Sequence, residues 1–143
     1  MKKNIKKQTK LEALVKYLGV DKDEVQEIDD NRFEVGREEY LVLTDEEADE
    51  AAKEQIKDSL WAFNASFIIS ECGLDASGEE SLKHMQEKSC EGANDFILSL
   101  VEKTCGLEEF VEAAISADGR GHFLAPYDFE EIEEGEYFIY RTN

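Results

Sequence analysis

The hydrophobic period changes repeatedly along this chain, and that change constrains the fold more than any other feature. Two β-rich runs, Arg32-Phe33-Glu34-Val35 and Tyr40-Leu41-Val42-Leu43, alternate or cluster as strands do. Gly36-Arg37-Glu38-Glu39 between them predicts a hairpin with a longer loop. From Asp45 to Ala117 apolar residues recur at three and four, the spacing of helices. After Gly119 the helical period lapses, and Tyr137-Phe138-Ile139-Tyr140 reads as a strand with a partner near Glu130–Ile132 across Glu134-Gly135. A lone hairpin is marginal in water, so each β element needs a packing surface. The expected fold is α+β and mostly helical: a compact helical centre with small β-hairpin elements near both ends of the chain.

Local signals place the helices. Thr9-Lys10-Leu11-Glu12 has the form of a capping box, and Leu11, Leu14, Val15 and Leu18 follow at helical spacing, predicting a helix over 10–18. A further short helical turn is expected within 21–28, with Val25 and Ile28 facing inward. Thr44-Asp45-Glu46-Glu47 is a second box, opening a helix over 45–61 whose inner face is Ala48, Ala52, Ile56 and Leu60. Asn64 caps a short helix carrying Phe67, Ile68 and Cys72. Ser77-Gly78-Glu79-Glu80 opens another before Leu82 and Met85. Two more apolar stripes run through Phe96, Ile97, Leu100, Val101 and Cys105, and through Leu107, Phe110, Val111, Ala114 and Ile115.

Charge restricts the partners. The chain has 35 acidic and 16 basic residues among 143, a formal net charge of −19. The imbalance is uneven: residues 1–22 hold seven lysines and two acids, and the remainder holds nine basic and 33 acidic residues. Residues 1–10 are read as a basic flexible arm and 11–143 as a single α+β domain. Such a field repels nucleic acid and attracts basic surfaces. No apolar run approaches the ~20 residues that a membrane span needs, and no signal-peptide core follows the basic start. Three cysteines make no disulfide framework, so a reducing cytoplasm is expected.

Two groups of acids stand out. Asp45, Glu46, Glu47, Asp49, Glu50, Glu54 and Asp58 lie along one predicted helix. Asp128, Glu130, Glu131, Glu133 and Glu134 follow the only proline with no basic residue among them. Held on rigid elements, spaced carboxylates can imitate a phosphate track and occupy the basic groove of a nucleic-acid enzyme. A competing site is Asp118-Gly119-Arg120-Gly121-His122. Asp118 and His122 are an acid/base pair if they come together, and the glycines let backbone approach a phosphate or carboxylate. Its plain alternative is a helix end in which Arg120 pairs with acids and His122 packs on Phe123. Cys72, His84, Cys90 and Cys105 lack zinc-ligand spacing, and no calcium loop is present, so neither metal nor cofactor is expected.

The segments Leu41-Val42-Leu43-Thr44-Asp45-Glu46-Glu47-Ala48, Leu60-Trp61-Ala62-Phe63-Asn64, Ile115-Ser116-Ala117-Asp118-Gly119-Arg120-Gly121-His122-Phe123-Leu124 and Phe138-Ile139-Tyr140-Arg141-Thr142-Asn143 resemble small acidic proteins of unassigned function encoded in bacteriophage genomes. The resemblance covers about residues 39–143 and brings no catalytic residues. It implies a phage setting in the cytoplasm of a host bacterium. There, by analogy, acidic proteins of this size inhibit host defence enzymes, including restriction and CRISPR nucleases. The expected function is therefore non-enzymatic: binding the basic surface of a defence nuclease as a DNA mimic, including an anti-CRISPR role. The alternatives are a small enzyme or ligand binder using Asp118, Arg120 and His122, and an accessory protein with no tight partner. The sequence leaves the oligomeric state open.

Overall fold

The computed structural model describes residues 7–143 and divides into two compact units. The proposed arm lies outside the described residues as far as residue 6. Lys10, at its other end, opens the first helix.

The first unit is built from both ends of the chain, residues up to 51 and from 120 onward. Helix α1 spans Lys10–Leu18, and the Thr9 side chain accepts from the Glu12 amide, one half of the expected capping box, while the Glu12 carboxylate accepts from the Thr9 hydroxyl. Strands β1 (Val25–Glu27), β2 (Arg32–Val35), β3 (Glu38–Thr44), β4 (Ile132–Glu134) and β5 (Tyr137–Arg141) form one antiparallel sheet in the order β1-β2-β3-β5-β4. The two β-rich regions seen separately in the sequence are thus one sheet, joined where Val42 pairs with Ile139.

The hairpins are tighter or displaced relative to expectation. Val35 pairs with Glu38, so the β2–β3 loop is only Gly36-Arg37. Gly36 has φ +63°, the left-handed backbone that a two-residue hairpin needs and that glycine takes without a Cβ penalty. The closing hairpin turns at Gly135-Glu136, one residue later than expected, which moves β4 to Ile132–Glu134. The inward turn expected within 21–28 is a single 3₁₀ turn, Lys22–Glu24, followed by β1. Ile28 is half exposed there, because the Asp29 carboxylate accepts from the Asn31 and Arg32 amides and commits 28–32 to a turn.

Alternation along the strands gives the sheet two faces. Leu14 of α1 packs with Phe33, Tyr40, Val42 and Ile139, all nearly inaccessible, and Leu11 and Leu18 extend that contact. Leu43 and Tyr140 are buried on the opposite side. A five-residue helix, α7 (Arg120–Leu124), contacts β5.

Helix α2 spans Asp45–Asp58 and starts as predicted: the Thr44 hydroxyl accepts from the Glu47 amide, and Glu47 accepts from the Thr44 amide. Ala48, Ala52 and Ile56 are fully buried. The helix stops at Asp58, where Ser59 Oγ donates back to the Gln55 carbonyl, and a 3₁₀ turn over Leu60–Ala62 replaces its expected last turn.

The second unit, residues 52–119, is helical. It holds α3 (Ala65–Glu71), α4 (Glu79–Ser89), α5 (Asn94–Lys103) and α6 (Leu107–Asp118). Ile68, Ile97, Val101, Phe110 and Ala114 form its core, with Phe63 tilted against Phe110 at 5.5 Å and Phe67 edge-on to it at 5.4 Å. Buried Gln86 donates to the Leu60 and Phe63 carbonyls, satisfying the irregular turn before α3. Asp75, and not Ser77, caps the turn that leads into α4. Phe96 was expected on the apolar stripe of α5 but is more than half exposed. It sits at an apolar groove of about 370 Å³ with Leu74, Met85 and Leu100.

Candidate functional site

The two acidic groups meet at one guanidinium. Arg120 opens α7 with its side chain only 10% exposed. Its Nη1 donates to Asp45 Oδ1 at 2.8 Å, to the Asp45 carbonyl at 3.1 Å and to Asp49 Oδ1 at 3.0 Å. Its Nε and Nη2 grip both oxygens of Glu131, at 2.9 and 3.2 Å. This is the bidentate fork that suits arginine and not lysine. The Tyr140 hydroxyl donates to the same Glu131 carboxylate at 2.8 Å, and the guanidinium lies 4.6 Å from the centre of the Phe138 ring. Burial works against the charge on Arg120, but Glu131 and Asp45 outweigh it and push its pKa further up. Burial, then the bond to Glu131, pushes the Tyr140 phenol up as well. One cation therefore joins the first turn of α2 to the segment preceding β4.

The other predicted acids divide into paired and unpaired. Lys10 Nζ reaches Glu47 at 2.7 Å, and Lys16 Nζ reaches Glu134 at 3.2 Å. Among the described residues no ion pair engages Glu46, Glu50, Glu54, Asp58, Asp128, Glu130 or Glu133, and all seven are exposed. Glu46, Glu50, Glu54 and Asp58 recur every four residues on α2, about 6 Å of helix rise apart. Negative charge at this surface is thus reduced by internal pairing but not cancelled.

The second predicted site is distributed differently from the acid/base arrangement. Asp118 is exposed at the end of α6, in the other unit. Arg120 directs its donors at carboxylates of its own chain. The His122 ring is exposed and lies against Phe123, edge-on at 5.0 Å, and Phe129, stacked at 5.4 Å. The helix α7 over 120–124 was not anticipated, since Gly119 just before it and Gly121 within it argue against one. Sequence reasoning also passed over Phe129, which is 59% exposed with φ +61°. Tyr127 is exposed beneath the Arg141 guanidinium, 3.6 Å from its ring centre, whereas Tyr140 is fully buried.

Among the described residues no group of three or more His, Cys, Asp and Glu side chains is arranged to hold a metal ion, and no helix is long and apolar enough to cross a membrane. Burial, with the Cys72 thiol beside it, raises the Cys105 thiol pKa, the opposite of what a reactive cysteine needs.

Glu47 makes the acidic surface sensitive to pH. Burial alone would raise its carboxyl, but the Lys10 ammonium and the Thr44 amide outweigh it and hold the pKa below the usual 4.5. A carboxyl lowered on folding stabilises above its unfolded pKa, and that contribution disappears as pH falls through the folded value. Stability should therefore decline from about pH 4.5 downward. Glu47→Gln should flatten that part of a urea-midpoint-against-pH profile, and an unchanged slope would remove Glu47 from the account.

Comparison of the chain with protein-family models, with characterised proteins and with solved structures finds no match.

Proposed function

We propose that this protein is a non-enzymatic acidic ligand for a basic surface on a nucleic-acid enzyme, competing there with DNA. In the phage setting that the resemblance implies, the partner would be a host defence nuclease, and an anti-CRISPR role is the specific form of the proposal. The observation that carries it is the convergence on Arg120: two acidic segments more than seventy residues apart are fastened together, and the exposed carboxylates beside them take part in no ion pair among the described residues. Fixed charges of one sign on ordered elements raise association rates and select oppositely charged partners. The ligand-binder reading is weaker on the same geometry, because the guanidinium that would hold an anion already binds three carboxylates.

The test is capture from bacterial lysate on the immobilised chain. Nucleic-acid-binding proteins should be retained at low salt and released by excess duplex DNA. Screening shortens from about 10 Å at 0.1 M salt to about 3 Å at 1 M, so retention should be lost across that range. Retention that ignores both salt and DNA would refute competition for a DNA groove.

A further inference from the structure

Residues 125–131 cross the first unit under tight restraint. Ala125 is fully buried, and its carbonyl accepts from the Phe129 amide at 2.6 Å. Gly121 of α7 lies directly against the Phe129 carbonyl and the backbone of Glu130 and Glu131. The Glu131 carboxylate is held by Arg120 and Tyr140.

Between these anchors the segment presents two rings to solvent: Tyr127 is 57% and Phe129 59% exposed. Phe129 also adopts φ +61°, an unfavourable backbone for a bulky L-residue. Folding stability accounts for neither property, since the ring buries little surface and the backbone is strained. Strain of this kind persists only where surrounding structure over-determines it, and it concentrates at ligand-contacting positions. The rings are braced: His122 stacks on Phe129 with its plane tilted by 26°, and Arg141 covers one face of Tyr127. Asp128 and Glu130, on either side of Phe129, are exposed and take part in no ion pair among the described residues.

We infer that Tyr127 and Phe129 form a preformed aromatic anchor for a basic protein partner whose surface offers an apolar recess bordered by arginine or lysine. This rests on the acidic-ligand reading above and assigns its contact point. Charge complementarity selects the occupant. A second copy of this chain presenting the same face would bring Asp128 and Glu130 against like charges, and nucleic acid is repelled. Rigid aromatic anchors ringed by polar groups are the usual source of interface affinity, and a fixed backbone avoids the ordering cost that a flexible loop would incur.

The test uses the full chain, isotope-labelled, titrated with two helical peptides of equal positive charge, one with leucines between its arginines and the other with serines. The leucine peptide should bind at least tenfold more tightly, with the largest amide shifts over 122–130. Phe129→Gly removes the ring and relieves the strained backbone. It should abolish that preference while leaving the melting temperature unchanged or raised. Equal binding of the two peptides to the wild-type chain, shifts centred elsewhere, or an unaltered preference in Phe129→Gly would each overturn the anchor. If duplex DNA still displaces captured proteins from the chain in those cases, the acidic-ligand reading survives without it. If neither peptide binds and DNA displaces nothing, both fall.

Discussion

Arg120→Ala should cost about 3 kcal/mol of stability, read as a lowered urea midpoint by far-UV circular dichroism, because it leaves carboxylates and a phenol arranged around a missing cation. The loss sits at the lower end of the range for breaking a buried ion pair for a definite reason. Asp45 and Asp49 are 68% and 63% exposed and recover hydration once the guanidinium is gone. Glu131 is 29% exposed and keeps its bond from buried Tyr140, so most of the penalty falls there. Arg120→Lys restores the charge but not the fork, and should recover less than half of the loss. In the double variant with Glu131→Gln the two losses should fall well short of additive. A loss below about 1 kcal/mol would class the cluster with ordinary surface pairs.

Gly121→Ala should be comparably damaging, although alanine in a helix normally gains about 1 kcal/mol over glycine. A Cβ at this position would stand 2.5 Å from the Phe129 carbonyl oxygen and 3.0 Å from both Glu130 C and Glu131 N. All three are backbone atoms, so no side chain can swing aside, and α7 must separate from the segment it supports. Overpacking of this kind costs roughly 3 kcal/mol. Gly19→Ala supplies the contrast. Gly19 is left-handed at φ +67° and ψ +37° with nothing within 4 Å of its would-be Cβ, so only conformational strain of about 1 kcal/mol applies. If the thermal denaturation midpoints ranked Gly19→Ala below Gly121→Ala, the close approach would not be the controlling contact.

The parts of the fold that were legible in the sequence are those set by neighbours in the chain. The caps at Thr9, Thr44 and Asn64 and the burial of Ala48, Ala52 and Ile56 each follow from residues within one or two turns. Sheet assembly was not legible, because the Val42–Ile139 pairing depends on segments nearly a hundred residues apart and strand patterns do not name their partners. The acidic groups were recognisable by type, but their meeting at Arg120 was not. Gly-Arg-Gly drew attention for the right physical reason, a backbone left open to close approach, and the wrong partner. What approaches Gly121 is the chain's own backbone at 129–131. Phe129 gave no signal at all, since an isolated Phe is ordinarily read as core and nothing in its neighbours announces a left-handed backbone.

The interleaving of β3 with β5 has a consequence for biosynthesis. Residues 52–119 are contiguous and can form their local helices as they leave the ribosome, but β3 must wait almost a hundred residues before β5 emerges beside it. Until then one margin of β3, carrying Val42 and Leu43, lacks its partner strand, and closing so long a loop is slow. The nascent protein is most vulnerable to proteolysis and self-association in that interval, and a polypeptide ended before Tyr137 would remain in it.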